Sequence, residues 1–281
     1  MTASTPTSVP VTVGVFDSGV GGLSVLRALL AEIPQAAFVY VADSGFAPYG
    51  ERGAQAIKDR AGRITRHLVE QHQIHALVVA CNTATALAIE DLRHAYPQVP
   101  IVGVEPALKT AASLTRSGHV GVLATRGTLN SERFLRLRRH MEAATHHAVY
   151  FSCQPCDGLA DAIERDDNTA TTLLCQRYWD AVQALNPATP PIDTLVLGCT
   201  HYPFAANVLS QVAGPAVQLV ETGEPVARRT RSVLQLHGHG LDAMNTKPPL
   251  LQLRSTGHPT LLTQAAHRWL GTQAVATSLV C

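Results

Sequence analysis

His75-Ala76-Leu77-Val78-Val79-Ala80-Cys81-Asn82-Thr83 and Thr194-Leu195-Val196-Leu197-Gly198-Cys199-Thr200-His201 read as the same object built twice. Each is an apolar run as long as one buried strand, which stops at a cysteine and leads into a helix start. In an open α/β sheet that stop lies at the carboxyl edge, where ligands bind. Two matched thiols on one crevice point to a pair of acid/base groups rather than a single nucleophile.

Working outward, residues 11–16 form a β-branched run that ends at Asp17-Ser18-Gly19-Val20-Gly21-Gly22, and residues 23–33 then have helical spacing. Residues 38–42 read as a second strand ending at Asp43, and residues 54–71 as a helix. The Cys81 strand follows, then a helix over 84–95 and a strand over 101–104. Strands alternating with helices of this length indicate parallel βαβ units. The pattern restarts at the strand 119–124, which ends at Thr125-Arg126-Gly127-Thr128. A helix from Asn130 or Ser131, a strand at 149–152, helices around 158–165 and 170–185 and the Cys199 strand complete it. Asp17 precedes Cys81 by nearly the interval that separates Thr125 from Cys199. The reading is an α/β fold of two pseudo-symmetric parallel-sheet domains with the active site in the cleft between them. Residues 11–105 plus 217–281 make the first and 106–216 the second. Residues 216–220 read as a strand, 225–236 as a helix, 238–249 as a loop, and 252–280 as the segment that completes the N-terminal sheet.

Composition excludes several classes. The 281 residues carry a formal charge of +1 with 15% charged side chains, too weak a field to gather nucleic acid or an anionic membrane. The groups Arg136, Arg138, Arg139 and Arg228, Arg229, Arg231 lack interleaved aromatics and read as solvated helix faces. Residues 1–10 have no basic or apolar region of a signal peptide. No apolar run reaches the ~18 residues of a membrane helix. A cytoplasmic chain with reduced cysteines is expected. Cys153-Gln154-Pro155-Cys156 is a single CxxC, weak for zinc or redox work; Cys175 reads as a buried hydrophobe and Cys281 as a loose end. The only lysines are Lys58, Lys109 and Lys247, none at a strand end, which argues against a pyridoxal Schiff base. No metal is expected, because neither cysteine strand carries a ligand set at metal spacing.

The chemistry falls on the strand ends. A thiol near pKa 8.5 is drawn toward thiolate at a helix N-terminus. Asn82 and Thr83 are candidate N-caps after Cys81, and Thr200 or His201 after Cys199. Asp17 ends the strand expected beside the Cys81 strand, and His201 lies two residues beyond Cys199, close enough to share its proton. The glycines of Gly19–Gly22 suit close backbone approach to a carboxylate or phosphate, without forming a GxGxxG. Hydroxyls at Ser18, Thr83, Thr125, Thr128 and Thr200 line the same edge, a lining suited to a small polar anion with an ammonium group.

These motifs resemble a known family. FDSGVGGLSVL (16–26), ADSGFAPYGER (42–52), VVACNTATA (78–86), GVEPA (103–107), GVLATRGTLNS (121–131) and LVLGCTHYPF (195–204) are similar, in order, to glutamate racemases, cofactor-independent members of the aspartate/glutamate racemase superfamily. The resemblance implies interconversion of L- and D-glutamate without a cofactor, supplying D-glutamate for peptidoglycan. It makes Cys81 and Cys199 the two catalytic bases, assisted by Asp17 and His201, with Cys81 acting on D-glutamate. It also implies substrate contacts at Asp17, Ser18, Pro48, Tyr49, Gly50, Asn82, Thr83, Thr125, Thr128, Thr200 and His201, and often a homodimer. The family's auxiliary glutamate falls by counting on Asp161, with Glu164 close enough to compete, and Glu221 stands where an aspartate is usual. The alternatives are an aspartate or hydantoin racemase of the same superfamily, a hydrolase using Cys199 and His201, and a non-catalytic amino-acid sensor.

Overall fold

The chain passes through two parallel sheets in turn and then returns to the first. The computed structural model describes residues 11–144, 148–185, 190–241 and 250–281; the polar start at 1–10 and most of the loop expected at 238–249 lie outside them. The first pass lays down β1 (Thr12–Asp17), α1 (Leu23–Glu32), β2 (Ala37–Ala42), α2 (Ala54–His72), β3 (Ala76–Val79), α3 (Asn82–Ala95) and β4 (Ile101–Gly103). The second lays down α4 (Leu108–Leu114), β5 (His119–Ala124), α5 (Arg126–Leu129), α6 (Glu132–Ala144) and β6 (Tyr150–Pro155). It continues with α7 (Leu159–Glu164), α8 (Asn168–Ala184), β7 (Thr194–Gly198), α9 (Ala206–Ala213) and β8 (Gln218–Val220). The return consists of α10 (Gly223–Leu236), β9 (Leu251–Ser255), α11 (Pro259–Leu270) and β10 (Ala276–Ser278).

The sheets share one plan. The first has the order β10-β9-β2-β1-β3-β4 and the second β6-β5-β7-β8, so β2-β1-β3-β4 and β6-β5-β7-β8 are the same arrangement. In each, the first strand leads to one side and the third to the other, which opens a crevice at the carboxyl edge between them. Register then places the site. Phe16 pairs with Val79 and the Ala80 N–H donates to the Phe16 carbonyl, so Asp17 and Cys81 emerge at one edge. Ala124 pairs with Gly198, so Thr125 and Cys199 emerge side by side at the other.

The strands are near-continuous apolar runs because helices cover both faces of a parallel sheet. β2 is buried throughout, and β1 from its second residue on. Side chains such as Phe16, Tyr40 and Leu26 have no exposed surface; each such apolar side chain contributes ~1.5–3 kcal/mol. Two details differ from the sequence reading. β8 pairs with β7, so 218–220 belong to the second sheet and the boundary expected at 217 moves past Val220. Cys81 itself is the N-cap of α3, its Sγ accepting from the Ala84 N–H at 3.5 Å, whereas Asn82 and Thr83 lie within the helix. No helix of the described residues is long and apolar enough to cross a membrane.

Candidate active site

Both cysteines are nearly enclosed, with 5% of Cys81 and 7% of Cys199 exposed. All six cysteines are free. Asp17, wholly buried at the end of β1, is the group on which the two strand ends converge. Its Oδ1 accepts from the Ser18 N–H at 2.7 Å and the Ser18 hydroxyl at 3.3 Å, and its Oδ2 accepts from the Gly22 N–H and from Thr200 Oγ1 at 3.4 Å. The Cys81 thiol donates to Ser18 Oγ at 3.8 Å. Burial raises the Asp17 carboxyl above its ordinary range, opposed by the charge of His201 and the two backbone donors. Burial, reinforced by Asp17, also pushes the Cys81 thiol well up, so Cys81 holds its proton firmly.

The second strand end is built differently. Cys199 Sγ lies 3.8 Å from His201 Nδ1, and His201 Nε2 lies 2.7 Å from Glu164 Oε2. Burial alone would lower the His201 pKa, but its bonds to Cys199 and Glu164 hold it well above the usual imidazole value. Glu164 moves the other way: burial opposes ionisation, yet the His201 bond and the Val20 N–H hold its carboxyl below the ordinary value. The expected auxiliary carboxylate is therefore displaced. Asp161 points to solvent and pairs with Arg165 at 3.0 Å, while Glu164, one helical step on, meets the histidine. His201 precedes a short turn, Tyr202–Ala205, and caps no helix through its side chain.

The Gly19–Gly22 turn packs against side chains of the second unit. A Cβ on Gly19 would lie 2.5 Å from Glu164 Oε2, and one on Gly21 would lie 2.3 Å from His201 Nδ1. The missing side chains make room for the second unit's proton partners. Ser24, which the sequence reading did not single out, ties the same turn across by donating to the Thr200 carbonyl at 2.8 Å.

The remaining expected contacts divide. Gly127 lies against Gly50 and Thr83, and Gly50 faces Thr125, so these four meet where the two units touch. Thr125 caps α5 and its hydroxyl lies 2.9 Å from that of Thr128. Asn82 is buried, yet neither amide atom has a partner among the described residues, which leaves two polar atoms for a ligand. Pro48 is exposed beside Tyr49, but the Tyr49 ring turns away: its hydroxyl donates to Asp43 Oδ2 at 2.6 Å, and Arg60 grips the same carboxylate at 2.7 and 3.0 Å. Tyr49 thus anchors its loop through Asp43 and Arg60, two residues that sequence reasoning missed. The signal was present, since Asp43-Ser44 ends β2 as Asp17-Ser18 ends β1. Among the described residues no group of three or more His, Cys, Asp or Glu could hold a metal ion.

Residues 18–230 match the profile of the Asp/Glu/Hydantoin racemases. The chain belongs to that family. It is 49% identical over 227 residues to a glutamate racemase of Ectopseudomonas mendocina, covering 80% of this chain and 82% of the relative. A glutamate racemase isoform, RacE1, from Bacillus anthracis superposes with a TM-score of 0.83 at 29% identity, covering 96% of this chain and 97% of that one. The Escherichia coli glutamate racemase, solved with L-glutamate and the activator UDP-MurNAc-ala, gives 0.80 at 30% identity, covering 97% and 99%. Within a racemase family, two cysteines with separate proton partners at equivalent strand ends take on a specific chemical meaning.

Proposed function

We propose that this chain is a glutamate racemase that inverts the α-carbon by proton transfer between two thiols, feeding D-glutamate to peptidoglycan synthesis in the cytoplasm as a homodimer. One observation carries the mechanism: Cys81 and Cys199 sit at equivalent strand ends, each nearly enclosed and each with its own partner, Ser18 beside one and His201 beside the other. An imidazolium at His201, 3.8 Å from Cys199 Sγ, supplies the positive charge that a thiolate there needs. Burial and Asp17 keep the proton on Cys81. With His201 as its partner, Cys199 takes the α-proton of L-glutamate while Cys81 returns one to the opposite face, and reversing the roles converts D-glutamate. The carbanion is held by positioned donors from the strand ends rather than by a conjugated ring. The hydroxyls of Thr83, Thr125, Thr128 and Thr200 and the unpartnered amide of Asn82 suit a small dicarboxylate with an ammonium group. Its glutamate racemase relatives favour glutamate over aspartate. Glutamate must enter a nearly enclosed site, so the units open and close in each turnover, excluding water at the chemical step.

The test is exchange in deuterium oxide. L-Glutamate yields D-glutamate that carries α-deuterium while the unreacted L-glutamate stays protiated at early times, and Cys81→Ser and Cys199→Ser each abolish racemisation. Near wild-type rates in either variant overturn the two-thiol assignment.

A further inference from the structure

The His201–Glu164 pair rides on two adjacent turns of the second unit, and both are touched by neighbouring residues of the first. Phe204 closes the turn after His201, its N–H donating to the His201 carbonyl at 3.0 Å. Its ring stacks on Trp269 with centroids 3.7 Å apart and planes 7° from parallel. Asp166 closes the turn after Glu164, its N–H donating to the Ile163 carbonyl at 3.1 Å, and its carboxylate meets Arg268 at 2.8 Å. Arg268 and Trp269 are consecutive residues in the last turn of α11, whose strands β9 and β10 belong to the first sheet. Phe204 and Trp269 each pack against the cores of both units.

We propose that the tip of α11, through Trp269 and Arg268, positions the His201–Glu164 pair against Cys199 and so governs the proton transfer at that thiol in particular. The inference rests on the two-thiol reading above. The two contacts differ in strength. The Arg268–Asp166 pair is exposed and screened, so it orients more than it holds. The ring stack is half-buried and flat, and fixes the distance between α11 and the 201–205 turn. Trp269 and Arg268 are positioning residues: they act through Phe204 and Asp166 on the two groups that protonate and charge the Cys199 side. Asp17, Ser18 and Cys81 are held from β1 and β3 and meet the second unit by hydrogen bond at Thr200, not at the turns that Phe204 and Asp166 close.

Enantiomers have equal energy, so kcat/KM is the same for L- and D-glutamate in every variant and cannot report a one-sided defect. Primary deuterium isotope effects can. Slowing the Cys199 step makes removal of the α-proton from L-glutamate more rate-determining. The same change makes removal from D-glutamate by Cys81 more reversible. Trp269→Ala is expected to lower kcat/KM by about tenfold, raise the isotope effect with α-deuterated L-glutamate and lower it with α-deuterated D-glutamate. Trp269→Phe, which keeps a ring to stack, restores both effects toward wild type. Asp166→Asn tolerates the positive φ of 60° at that position and removes the ion pair without touching the core. It shows the same opposite movement within about a threefold change in rate, and serves if Trp269→Ala does not fold. Isotope effects that stay put or move together in these variants, with a wild type that racemises, overturn the positioning role alone. A wild type that does not racemise glutamate overturns both readings.

Discussion

Alanine at Gly21 offers a direct probe of the site. The backbone there is not in the left-handed region, so the substitution acts through contact alone. Its Cβ would lie 2.3 Å from His201 Nδ1, 2.5 Å from Cε1 and 2.8 Å from Cγ, where ordinary contact begins at 3.4 Å. The ring must therefore retreat by about 1.1 Å, the difference between those limits. His201 is held at both ends, 3.8 Å from Cys199 and 2.7 Å from Glu164, so it cannot retreat and keep both partners. A displacement near 1 Å at a reacting group costs ~10²-fold in rate, or ~2.7 kcal/mol of transition-state stabilisation. Gly21→Ala should thus lower kcat by about two orders of magnitude while circular dichroism and cooperative unfolding show a folded protein. Gly62→Ala is the matched control. It lies within α2 with nothing inside 4 Å of the new Cβ, and should raise stability by ~0.5–1 kcal/mol with unchanged turnover. A folded Gly21→Ala enzyme that racemises within a few-fold of wild type refutes the reasoning.

Glu164→Gln should slow racemisation by at least tenfold, because the amide no longer supplies the negative charge that stabilises the His201 imidazolium; Asp161→Asn should leave steady-state rates near wild type. Tyr49→Phe leaves a buried lone pair of Asp43 without its donor and should cost ~1–2 kcal/mol in urea unfolding. Asp193, which accepts from Thr115 Oγ1 and the Arg116 and Ser117 amides, is lowered to about 2, burial opposing and the hydrogen bonds prevailing. A depressed carboxyl stabilises the fold above its unfolded value near 3.8 and loses that contribution as pH falls toward 2. Discounted for partial exposure, ~1–2 kcal/mol should vanish across that window in wild type. Asp193→Asn, measured by unfolding at pH 2 and pH 6, should not show this loss.

Much of this was legible because strand period and strand ends are local properties. The runs before Cys81 and Cys199 announce their burial on both faces, and parallel register carries the cysteines to the crevice edge. What sequence reading misplaced depends on tertiary contacts that no local pattern announces. Asp161 and Glu164 are three positions apart on one short helix, and only the approach of His201 distinguishes them. Gly19 and Gly21 carry the pattern of a ligand cradle, and the groups that meet them, Glu164 and His201, are side chains far away in sequence. Tyr49 lies in a loop whose motif implies contact with substrate, and its hydroxyl is instead drawn under the loop by Asp43 and Arg60.

The return of the chain to its first sheet sets an order on synthesis. Phe38 of β2 pairs with Leu251 of β9, so the first sheet cannot gain its outer strands until the last part of the chain has left the ribosome. The second sheet, from His119 to Val220, is complete before then. The half that carries Cys199 can therefore finish first, while the flank of β2 that awaits β9 and α11 stays uncovered. In that interval the nascent protein bears an open strand edge, the feature most prone to mispairing with another chain.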